Sequence, residues 1–453
     1  MKIEFQSPDK VNGLMTVTME PADYQEQVNK ALKDLRKKAN MPGFRPGNVP
    51  MGLIKRQYGA SVKMDEINKI LGREMYKYIN DNNIKMLGEP MANEAQKPQD
   101  MEKEDTYTFV FDVAVAPEFE IKLDKKDKIN FYEIKIDDEL IDKQVDMYTS
   151  RNGHYEKVDV YEPELRDMLK GDLRQLDADG NTLEGGITVE AAVMMPQYIK
   201  VEDQKALFDG AKLGDIITFN PKKAYPDNDG EVASLLKVKR EEVAELTSDF
   251  SYQITEISRF VKAEVNQELF DNVYGPGAVA DEKAFRERIA EELRGPLASN
   301  ADFQLLQDVR RYAEKKVGEL TFPEELLKRV MKRNNEDKAE DYVDKNFDAS
   351  IRELKWHLIK EQLVSDAGIK IEDEDVRNAA KEAARMQFAQ YGMNNVPEDY
   401  LDNYATEMLK KRENVDGFVD RAIDARLTQA VKDMVTLVKK TVTLDEFNKL
   451  MSE

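Results

Sequence analysis

Residues 40–50 read Asn40-Met41-Pro42-Gly43-Phe44-Arg45-Pro46-Gly47-Asn48-Val49-Pro50, and this stretch decides how the N-terminal part of the chain folds. Three prolines and two glycines cannot continue a helix or lie inside a sheet, because proline lacks the backbone N–H and glycine loses too much entropy. Before the stretch, apolar residues recur at helical spacing, at Tyr24, Val28, Ala31, Leu32, Leu35 and Ala39. After it, Asn48 can cap a helix that begins near Pro50. The sequence therefore predicts a stiff, exposed loop between two helices.

The tip of this loop combines an apolar ring with a cation. Phe44 and Arg45 have little of their own chain to pack against. The charged residues around them are mostly basic, and Asp34 is the one acidic exception. The basic residues are Lys30, Lys33, Arg36, Lys37, Lys38, Lys55 and Arg56. An aromatic ring beside a guanidinium in a basic field suits docking on an acidic partner. From the residues alone, an ordinary turn in which Phe44 folds back onto its own helices stays an equal alternative.

The loop and the helix after it share a longer pattern. It consists of Gly43-Phe44-Arg45-x-Gly47-x-x-Pro50, followed by Ile54, Gln57-Tyr58-Gly59 and Val62. This pattern resembles the ribosome-binding signature of the bacterial trigger factor family, in which the loop contacts a ribosomal protein beside the peptide exit tunnel. The resemblance implies ribosome binding through Gly43, Phe44, Arg45, Pro46, Gly47 and Pro50. Many members of the family have lysine where this chain has Pro46, so one cation of the docking surface is lost.

The chain is long enough for about three domains and is strongly acidic. Of its 453 residues, 35% are charged and 41% are hydrophobic. The 89 acidic residues outnumber the 68 basic ones and give a net charge of -21. This charge disfavours general and sequence-specific nucleic-acid binding, so that any contact with a polyanion must be local. The basic loop is that local exception.

The sequence contains no cysteine, so disulfides and thiolate metal sites are excluded. It also has no pattern typical of a signal peptide or a membrane span. Asp177, Asp179 and Asn181 have the spacing of calcium ligands. Thr182 and Thr188, however, stand where a calcium loop needs glycine and glutamate, so a hairpin turn is predicted there. We expect a cytoplasmic protein without a metal site, a cofactor or contact with a membrane.

Residues 1–117 have the pattern of one α+β domain. Beyond the two helices beside the loop, the periodicity predicts two half-buried strands and a longer helix, at Leu14–Met19, Thr106–Val115 and Ser61–Asn80. Residues 118–150 form a connector, with a strand at Asn130–Ile136 and a helix that begins after Asp137.

Residues 151–245 alternate turns with short strands. Asp177–Thr182 is a turn cluster, Gly185-Gly186 interrupts Leu183–Met195, and Ile216–Phe219 follows as a strand. The most distinctive residues are Asp179-Gly180, Glu184-Gly185-Gly186, Lys212-x-Gly214-Asp215, Phe219 and Tyr225. They resemble the FKBP-type prolyl isomerase domain that lies at this point in trigger factors. The resemblance implies a β-rich α+β fold.

Isomerase activity is expected to be weak or absent. Rotation of a prolyl amide needs an apolar, aromatic-lined pocket that favours the twisted amide over either planar form. In the family a Val/Ile-Pro-Gly-aromatic segment forms part of the pocket, but this chain has Val201-Glu202-Asp203-Gln204 there. Phe208, Phe219 and Tyr225 are the remaining pocket candidates, and burial in the core of the domain is the favoured alternative for each of them. No catalytic residue is assigned.

Helical periodicity dominates residues 246–453. Capping residues predict helix starts at Asp281, Thr321, Asp373 and Thr443. Breaks are predicted at Gly275-Pro276-Gly277, Gly295-Pro296, Gly368 and Gly392. The segment resembles the all-α C-terminal chaperone domain of trigger factors, which has long helical arms. The complete chain is thus predicted to be a multidomain α+β protein.

Methionines in this helical segment are candidates for binding clients, meaning unfolded polypeptides. Met386, Met393, Met408 and Met434 are interleaved with Phe388, Tyr391, Tyr400 and Tyr404. Flexible thioethers of this kind can adapt to many apolar clients. The alternative, favoured for any single methionine, is burial between helices.

Three functions are consistent with these features. The first is an ATP-independent chaperone that docks on a large-subunit protein at the ribosomal exit tunnel and holds nascent polypeptides. No Gly-rich Lys-Ser/Thr nucleotide motif occurs in the sequence. The alternatives are a folding enzyme whose main activity is prolyl isomerisation, and a helical holdase or assembly chaperone that never contacts the ribosome. Whether the free protein forms a homodimer stays open.

Overall fold

A computed structural model describes residues 1–42, 44–45, 47–96, 98–100, 104–391, 393 and 396–452. Its strands are β1 (Lys2–Gln6), β2 (Asn12–Met19), β3 (Met91–Ala92), β4 (Tyr107–Ala114), β5 (Lys128–Ile134), β6 (His154–Val158), β7 (Met168–Gln175), β8 (Thr188–Met194), β9 (Ile216–Phe219), β10 (Phe250–Val261) and β11 (Thr436–Val442). Its helices are α1 (Pro21–Lys38), α2 (Met51–Asp81), α3 (Asp138–Arg151), α4 (Glu202–Lys205), α5 (Pro221–Ala224), α6 (Asp229–Leu236), α7 (Arg240–Val243), α8 (Gln267–Tyr274), α9 (Glu282–Val317), α10 (Glu324–Asn334), α11 (Tyr342–Asp366), α12 (Asp373–Gln390), α13 (Glu398–Lys410), α14 (Arg412–Met434) and α15 (Leu444–Ser452).

The chain divides into two compact units, neither of which is continuous in sequence. The first contains Met1–Phe131 and Asp302–Lys440, and the second contains Tyr132–Ala301 and the residues from Thr441 on. The backbone therefore passes between the units three times, in β5, in α9 and in β11.

An antiparallel sheet in the order β1-β2-β4-β3 forms the N-terminal part of the first unit. Met15, Val17 and Met19 on β2 are fully buried and pack against the apolar faces of α1 and α2. Their alternation with more exposed neighbours is the pattern that predicts β2, and the prediction of strands in β2 and β4 is confirmed.

The helix after the loop is longer than the sequence predicts. A single helix, α2, runs from Met51 to Asp81, where two helical segments are expected. Ile54, Ile67, Leu71 and Met75 are all buried, so the helix presents apolar residues to the sheet along its whole length. This continuous burial outweighs the weak helix formers Gly52, Gly59 and Gly72.

The same sheet contacts α10, which also belongs to the first unit. Phe322 and Leu326 pack with Leu87, Ala114 and Ala116. On α10, the Arg329 guanidinium lies 2.7 Å from an Asp112 carboxylate oxygen of β4 and donates a 3.0 Å hydrogen bond to the Ala92 carbonyl.

The second unit contains a β-sheet built around β10. Its order is β6-β10-β7-β8, and β9 also pairs with β10. This sheet continues past residue 245, where the β-rich segment is predicted to end, so the helical segment begins only after Val261. The prediction missed β10 although Phe250, Tyr252 and Ile254 alternate with more polar residues, which is a strand pattern.

The predicted helix breaks are confirmed at two places and wrong at one. Breaks occur after α8, at Gly275, and after α11, where Gly368 has a positive φ of 63°. By contrast, α9 continues for 36 residues through Gly295 and Pro296. Leu297 and Ala301 are buried beyond the proline, and this packing offsets the missing hydrogen bond. Gly392 lies outside the described residues.

The C-terminal region is helical apart from β10 at its start and β11 near its end, which pairs with β5. The predicted capping box before α15 is confirmed, because Thr443 and Glu446 exchange backbone-to-side-chain hydrogen bonds of 2.8 and 3.2 Å. No helix in the described part of the chain is long and apolar enough to cross a bilayer.

Candidate functional site

The loop between α1 and α2 is anchored at both ends. Ala39 is 8% exposed and donates its backbone N–H to the Leu35 carbonyl at 2.8 Å, which closes the last turn of α1. At the other end Val49 is completely buried in the core beneath the loop. The core of the unit therefore holds both flanks of the loop.

Hydrogen bonds shape the tip of the loop. The Phe44 N–H donates to the Met41 carbonyl at 3.1 Å, and the Asn48 N–H donates to the Arg45 carbonyl at 2.9 Å. Gly47 has a φ of 82°, a conformation that costs other residues free energy. Gly43 and Pro46 lie outside the described residues. These bonds close two successive turns around Phe44 and Arg45.

Phe44 and Arg45 are both exposed residues of this loop. Phe44 is 40% exposed, although a phenylalanine of a small domain is usually buried. Arg45 is exposed, and no described residue forms an ion pair with it. Pro50, at the N-cap of α2, is exposed as well. Part of the Phe44 ring is therefore in contact with solvent, and the choice between a docking tip and an ordinary turn stays a prediction.

The surface around the tip is positively charged. Exposed cations on the two helices beside it are Lys30, Lys33, Lys37, Lys38, Lys55 and Arg56. The pKa of Asp34 is lowered, mainly by the hydrogen bond from Lys37 and further by the charges of Lys37, Lys30 and Lys38. This carboxyl group thus reports the positive field that its neighbours produce.

The charge of the whole chain is distributed unevenly. Residues 1–117 contain 17 Lys and Arg against 17 Asp and Glu, so they are neutral overall. The remaining residues therefore carry the complete net charge of -21. Within the neutral part, the cations concentrate on the loop and its flanking helices.

The three isomerase candidates lie together in the core beside the sheet built around β10. Phe208 is fully buried, Phe219 is 2% exposed and Tyr225 is 5% exposed. The rings of Phe208 and Phe219 are 5.3 Å apart in an edge-to-face contact. Burial, and then the charge of Glu231, raises the pKa of Tyr225 to about 12. These rings fill the interior of the domain, as the alternative of core burial predicts.

Tyr252 on β10 completes this aromatic cluster and was missed by sequence reasoning. Its ring lies 6.3 Å from that of Phe208 and 6.5 Å from that of Phe219. Its hydroxyl donates a 2.9 Å hydrogen bond to the Ala192 carbonyl of β8. The strand alternation of residues 250–254 would have located it, had the β-rich segment been extended past residue 245.

The segment Val201-Glu202-Asp203-Gln204 leads into a short helix at the surface. Glu202 and Asp203 are exposed on α4. Gln204 turns inward, and its side-chain oxygen accepts a 2.7 Å hydrogen bond from the Asn220 N–H. This glutamine therefore braces the loop before α5, and α4 contributes no aromatic wall to a prolyl pocket.

Helices α12, α13 and α14 of the first unit pack together, and we call this group of three helices the arm. Ala380, Ala405 and Phe418 form its core. Lys381 joins α12 to α13 through ion pairs of 3.0 Å with both Glu398 and Asp402. The small alanines let the helices approach closely, so the arm is held by a narrow core and by surface ion pairs.

A groove of about 510 Å³ lies between α12 and α14 in the arm. Met386 and Met408 both line it, together with Phe418, Asn414 and Arg421 of α14. Sequence reasoning considered the methionines and missed these α14 residues. Phe418 and Ala422 are four residues apart, a spacing that places them on one face of a helix.

The four candidate methionines are only partly brought together. Met386 is 59% exposed beside the groove, and Met393 is 49% exposed just beyond the end of α12. Met408 packs partly against the core of the arm. Met434 packs instead against the core that contains Trp356 and does not reach the groove.

Aromatic residues extend the apolar surface of the arm. Tyr391 is 72% exposed and Tyr400 is 66% exposed. The ring of Phe388 lies 5.2 Å from that of Tyr404, which links α12 to α13. An exposed surface of thioethers and tyrosines next to a groove can contact apolar chains of varied shape.

Curated relatives and a solved structure resemble the chain over most of its length. The trigger factor of Pelagibacter ubique (strain HTCC1062) is 22% identical over 457 residues, covering 100% of this chain and 90% of that protein. The trigger factor of Bifidobacterium longum (strain DJO10A) is 24% identical over 406 residues, covering 87% and 82%. A structure described as "Promiscuous Substrate Recognition in Folding and Assembly Activities of the Trigger Factor Chaperone" is 16% identical, with a TM-score of 0.47 over 95% of this chain and 100% of that chain.

Three family models match consecutive parts of the chain. Residues 1–148 match "Bacterial trigger factor protein (TF)", and residues 155–262 match "Probable trigger factor, FKBP-like domain". Residues 301–451 match "Probable trigger factor, C-terminal domain". The second match includes β10, in agreement with the sheet that this strand organises. All three models describe trigger factor and together cover most of the sequence, and the chain belongs to the trigger factor family.

Proposed function

We propose that this protein is an ATP-independent chaperone that docks on the ribosome through the loop at residues 40–50 and holds nascent polypeptides on its helical arm. The observation that carries the proposal is the exposure of Phe44 and Arg45 at the tip of an anchored, positively charged projection. A cytoplasmic location is part of the same proposal.

The loop suits a partner that is acidic and has a small apolar hollow. Arg45 can form a bidentate ion pair with a carboxylate, while the ring of Phe44 loses its contact with water. The partner we propose is a large-subunit protein at the exit tunnel. The acidic remainder of the chain would be repelled by ribosomal RNA, which favours contact through the loop alone.

Clients are proposed to bind the groove and the exposed side chains of the arm. Contacts with Met386, Tyr391 and Tyr400 would each be weak, so that affinity comes from several of them together. A client that folds withdraws its own apolar residues and leaves without ATP hydrolysis. Met434 is not included in this proposed surface, because it packs in another core.

The FKBP-like domain is proposed to have weak prolyl isomerase activity or none. Phe208 and Phe219 are too deeply buried to contact a prolyl ring in this conformation. A protease-coupled assay with a proline peptide tests this, and we expect no rate above that of the uncatalysed isomerisation. A rate comparable to ordinary FKBP enzymes would contradict the proposal and would favour the isomerase as the main activity.

Co-sedimentation with ribosomes tests the docking role. The double variant Phe44→Ala/Arg45→Ala should lose most of the binding, by about tenfold or more, because it removes both the apolar and the ionic contact. Tyr76→Ala/Lys77→Ala is a matched control, since it removes an exposed aromatic residue and an adjacent exposed cation from the far end of α2. If both double variants bind ribosomes equally well, the loop has no docking role, and the alternative of a ribosome-independent holdase is favoured.

A further inference from the structure

Two methionines of the arm are among the most exposed methionines in the part of the chain that the structure describes. Met386 is 59% exposed and Met393 is 49% exposed, whereas Met15 and Met19 in the N-terminal core are completely buried. An oxidant dissolved in water must contact the sulfur atom in order to react with it. The two arm thioethers are therefore open to such a reagent, while the core methionines are shielded.

Both residues are fixed at the surface that is proposed to hold clients. Met386 lines the groove between α12 and α14, in the last turns of α12. The Met393 N–H donates a 3.0 Å hydrogen bond to the Phe388 carbonyl, which ties its backbone to the end of the same helix. Between them, Tyr391 is 72% exposed. A chemical change at either sulfur thus alters the apolar surface directly.

The chain contains no cysteine, so its methionines are its one source of oxidisable sulfur. A two-electron oxidant such as hydrogen peroxide transfers one oxygen atom to the thioether. The O–O bond breaks, the sulfur is oxidised to a sulfoxide, and the peroxide is reduced to water. No further co-reactant is needed.

We propose that Met386 and Met393 are a modification site at which oxidation to methionine sulfoxide weakens the binding of unfolded clients. This inference rests on the proposed function of the arm. The sulfoxide is polar and prefers water, so burying it against an apolar client no longer contributes hydrophobic free energy. Because client binding depends on several weak contacts, the loss of two of them lowers the affinity by about tenfold.

In the test, the protein is treated with hydrogen peroxide, the excess peroxide is removed, and two quantities are measured. Peptide mass spectrometry locates each addition of one oxygen, and fluorescence anisotropy gives the affinity for a permanently unfolded probe, reduced and carboxymethylated α-lactalbumin. Each variant is compared with its own untreated sample. Met386→Leu/Met393→Leu cannot be oxidised at the arm. Met64→Leu is the matched control, because Met64 is 50% exposed on α2 outside the arm.

We expect Met386 and Met393 to be oxidised before the buried methionines, and the affinity of wild type and of Met64→Leu to fall about tenfold on treatment. The affinity of Met386→Leu/Met393→Leu should not change on treatment, whatever its untreated value. An equal loss in this double variant, or a mass map that leaves both arm methionines unmodified while Met64 reacts, would overturn the proposal. If untreated protein binds no probe, the proposed function of the arm fails, and the mass map alone decides whether the site is modified.

Discussion

At the scale of single residues, Gly47 sets the conformation of a turn in the loop that is proposed to dock on the ribosome. Its φ of 82° allows the turn in which Asn48 donates a hydrogen bond to Arg45. Open space surrounds the position of a missing Cβ, whose nearest neighbour is the Lys37 carbonyl oxygen at 3.8 Å. Glycine is needed here for its backbone conformation, and not for lack of room.

Gly47→Ala should therefore weaken ribosome binding. A left-handed backbone costs a non-glycine residue about 1 to 2 kcal/mol, so the variant either strains the loop or changes the turn. We expect a severalfold lower affinity in co-sedimentation. Gly72→Ala is the control, because Gly72 lies in α2 with open space around it, and alanine there should stabilise the helix by about 0.5 to 1 kcal/mol. Unchanged ribosome binding by Gly47→Ala would show that the turn is not required.

Among the described residues of the FKBP-like domain, Asp167 and Arg259 form the most buried ion pair. The Asp167 side chain is completely buried, and its two carboxylate oxygens accept hydrogen bonds of 2.9 and 2.7 Å from the Arg259 guanidinium. A third hydrogen bond to this carboxylate, of 2.9 Å, comes from the Glu162 N–H. The guanidinium is thus the charge that balances a carboxylate without access to water.

Arg259→Met should destabilise the sheet by about 3 to 5 kcal/mol, because it leaves the buried charge unpaired. Hydrogen exchange of the β10 amides measures this local opening free energy in the full chain. Lys157→Met is the control, since Lys157 pairs at 2.7 Å with Glu256 but is largely exposed, and its loss should cost less than 1 kcal/mol. Equal protection of β10 in both variants would contradict the role of the buried pair.

At the scale of secondary-structure elements, local patterns could be predicted from the sequence and long-range packing could not. The alternation in β2 and the loop before α2 follow from neighbouring residues and were predicted. The continuation of α9 through Pro296 depends on burial against other elements, and the sequence predicts a break there. The exposure of Phe44 was likewise open in the sequence, because burial of one ring depends on the packing around it.

Asp127 joins α9 to the segment before β5. Its carboxylate accepts hydrogen bonds of 2.7 Å from the Tyr312 hydroxyl and of 2.7 and 2.9 Å from the Lys316 ammonium group. Burial opposes ionisation of Asp127, but these hydrogen bonds outweigh it and lower its pKa. The carboxylate is therefore more acidic in the folded protein than in the unfolded chain.

Acid should weaken this junction in a specific pH range. A lowered folded-state pKa contributes stability that is complete above the unfolded value of about 3.9 and is lost as the pH falls through the folded value. Hydrogen exchange near α9 at pH 6 and at about pH 3 should show this loss in wild type. Lys316→Met should be less stable by roughly 1 kcal/mol at pH 6 and lose less on acidification. The same acid loss in both proteins would contradict the assignment.

At the scale of the whole molecule, the part of the chain that is proposed to dock on the ribosome differs in net charge from the part that is proposed to hold clients. Residues 1–117 are neutral overall and concentrate their cations at the loop, while the rest of the chain carries the net charge of -21. In the proposed function, the acidic residues would help to keep the exposed apolar surface of the arm in solution and would restrict contact with a polyanion to the loop. The domain boundaries at residues 117 and 150 stay predictions, whereas the end of the β-rich segment lies beyond residue 245, because its sheet includes β10.

The most direct test of the docking loop is site-specific crosslinking to ribosomes. The chain has no cysteine, so Asn48→Cys creates a single attachment point for a photo-crosslinker while Phe44 and Arg45 remain in place. Asn80→Cys, exposed at the other end of α2, is the matched control. We predict a crosslink from position 48 to one large-subunit protein beside the exit tunnel and none from position 80. Equal or absent crosslinking at the two positions would contradict docking through the loop.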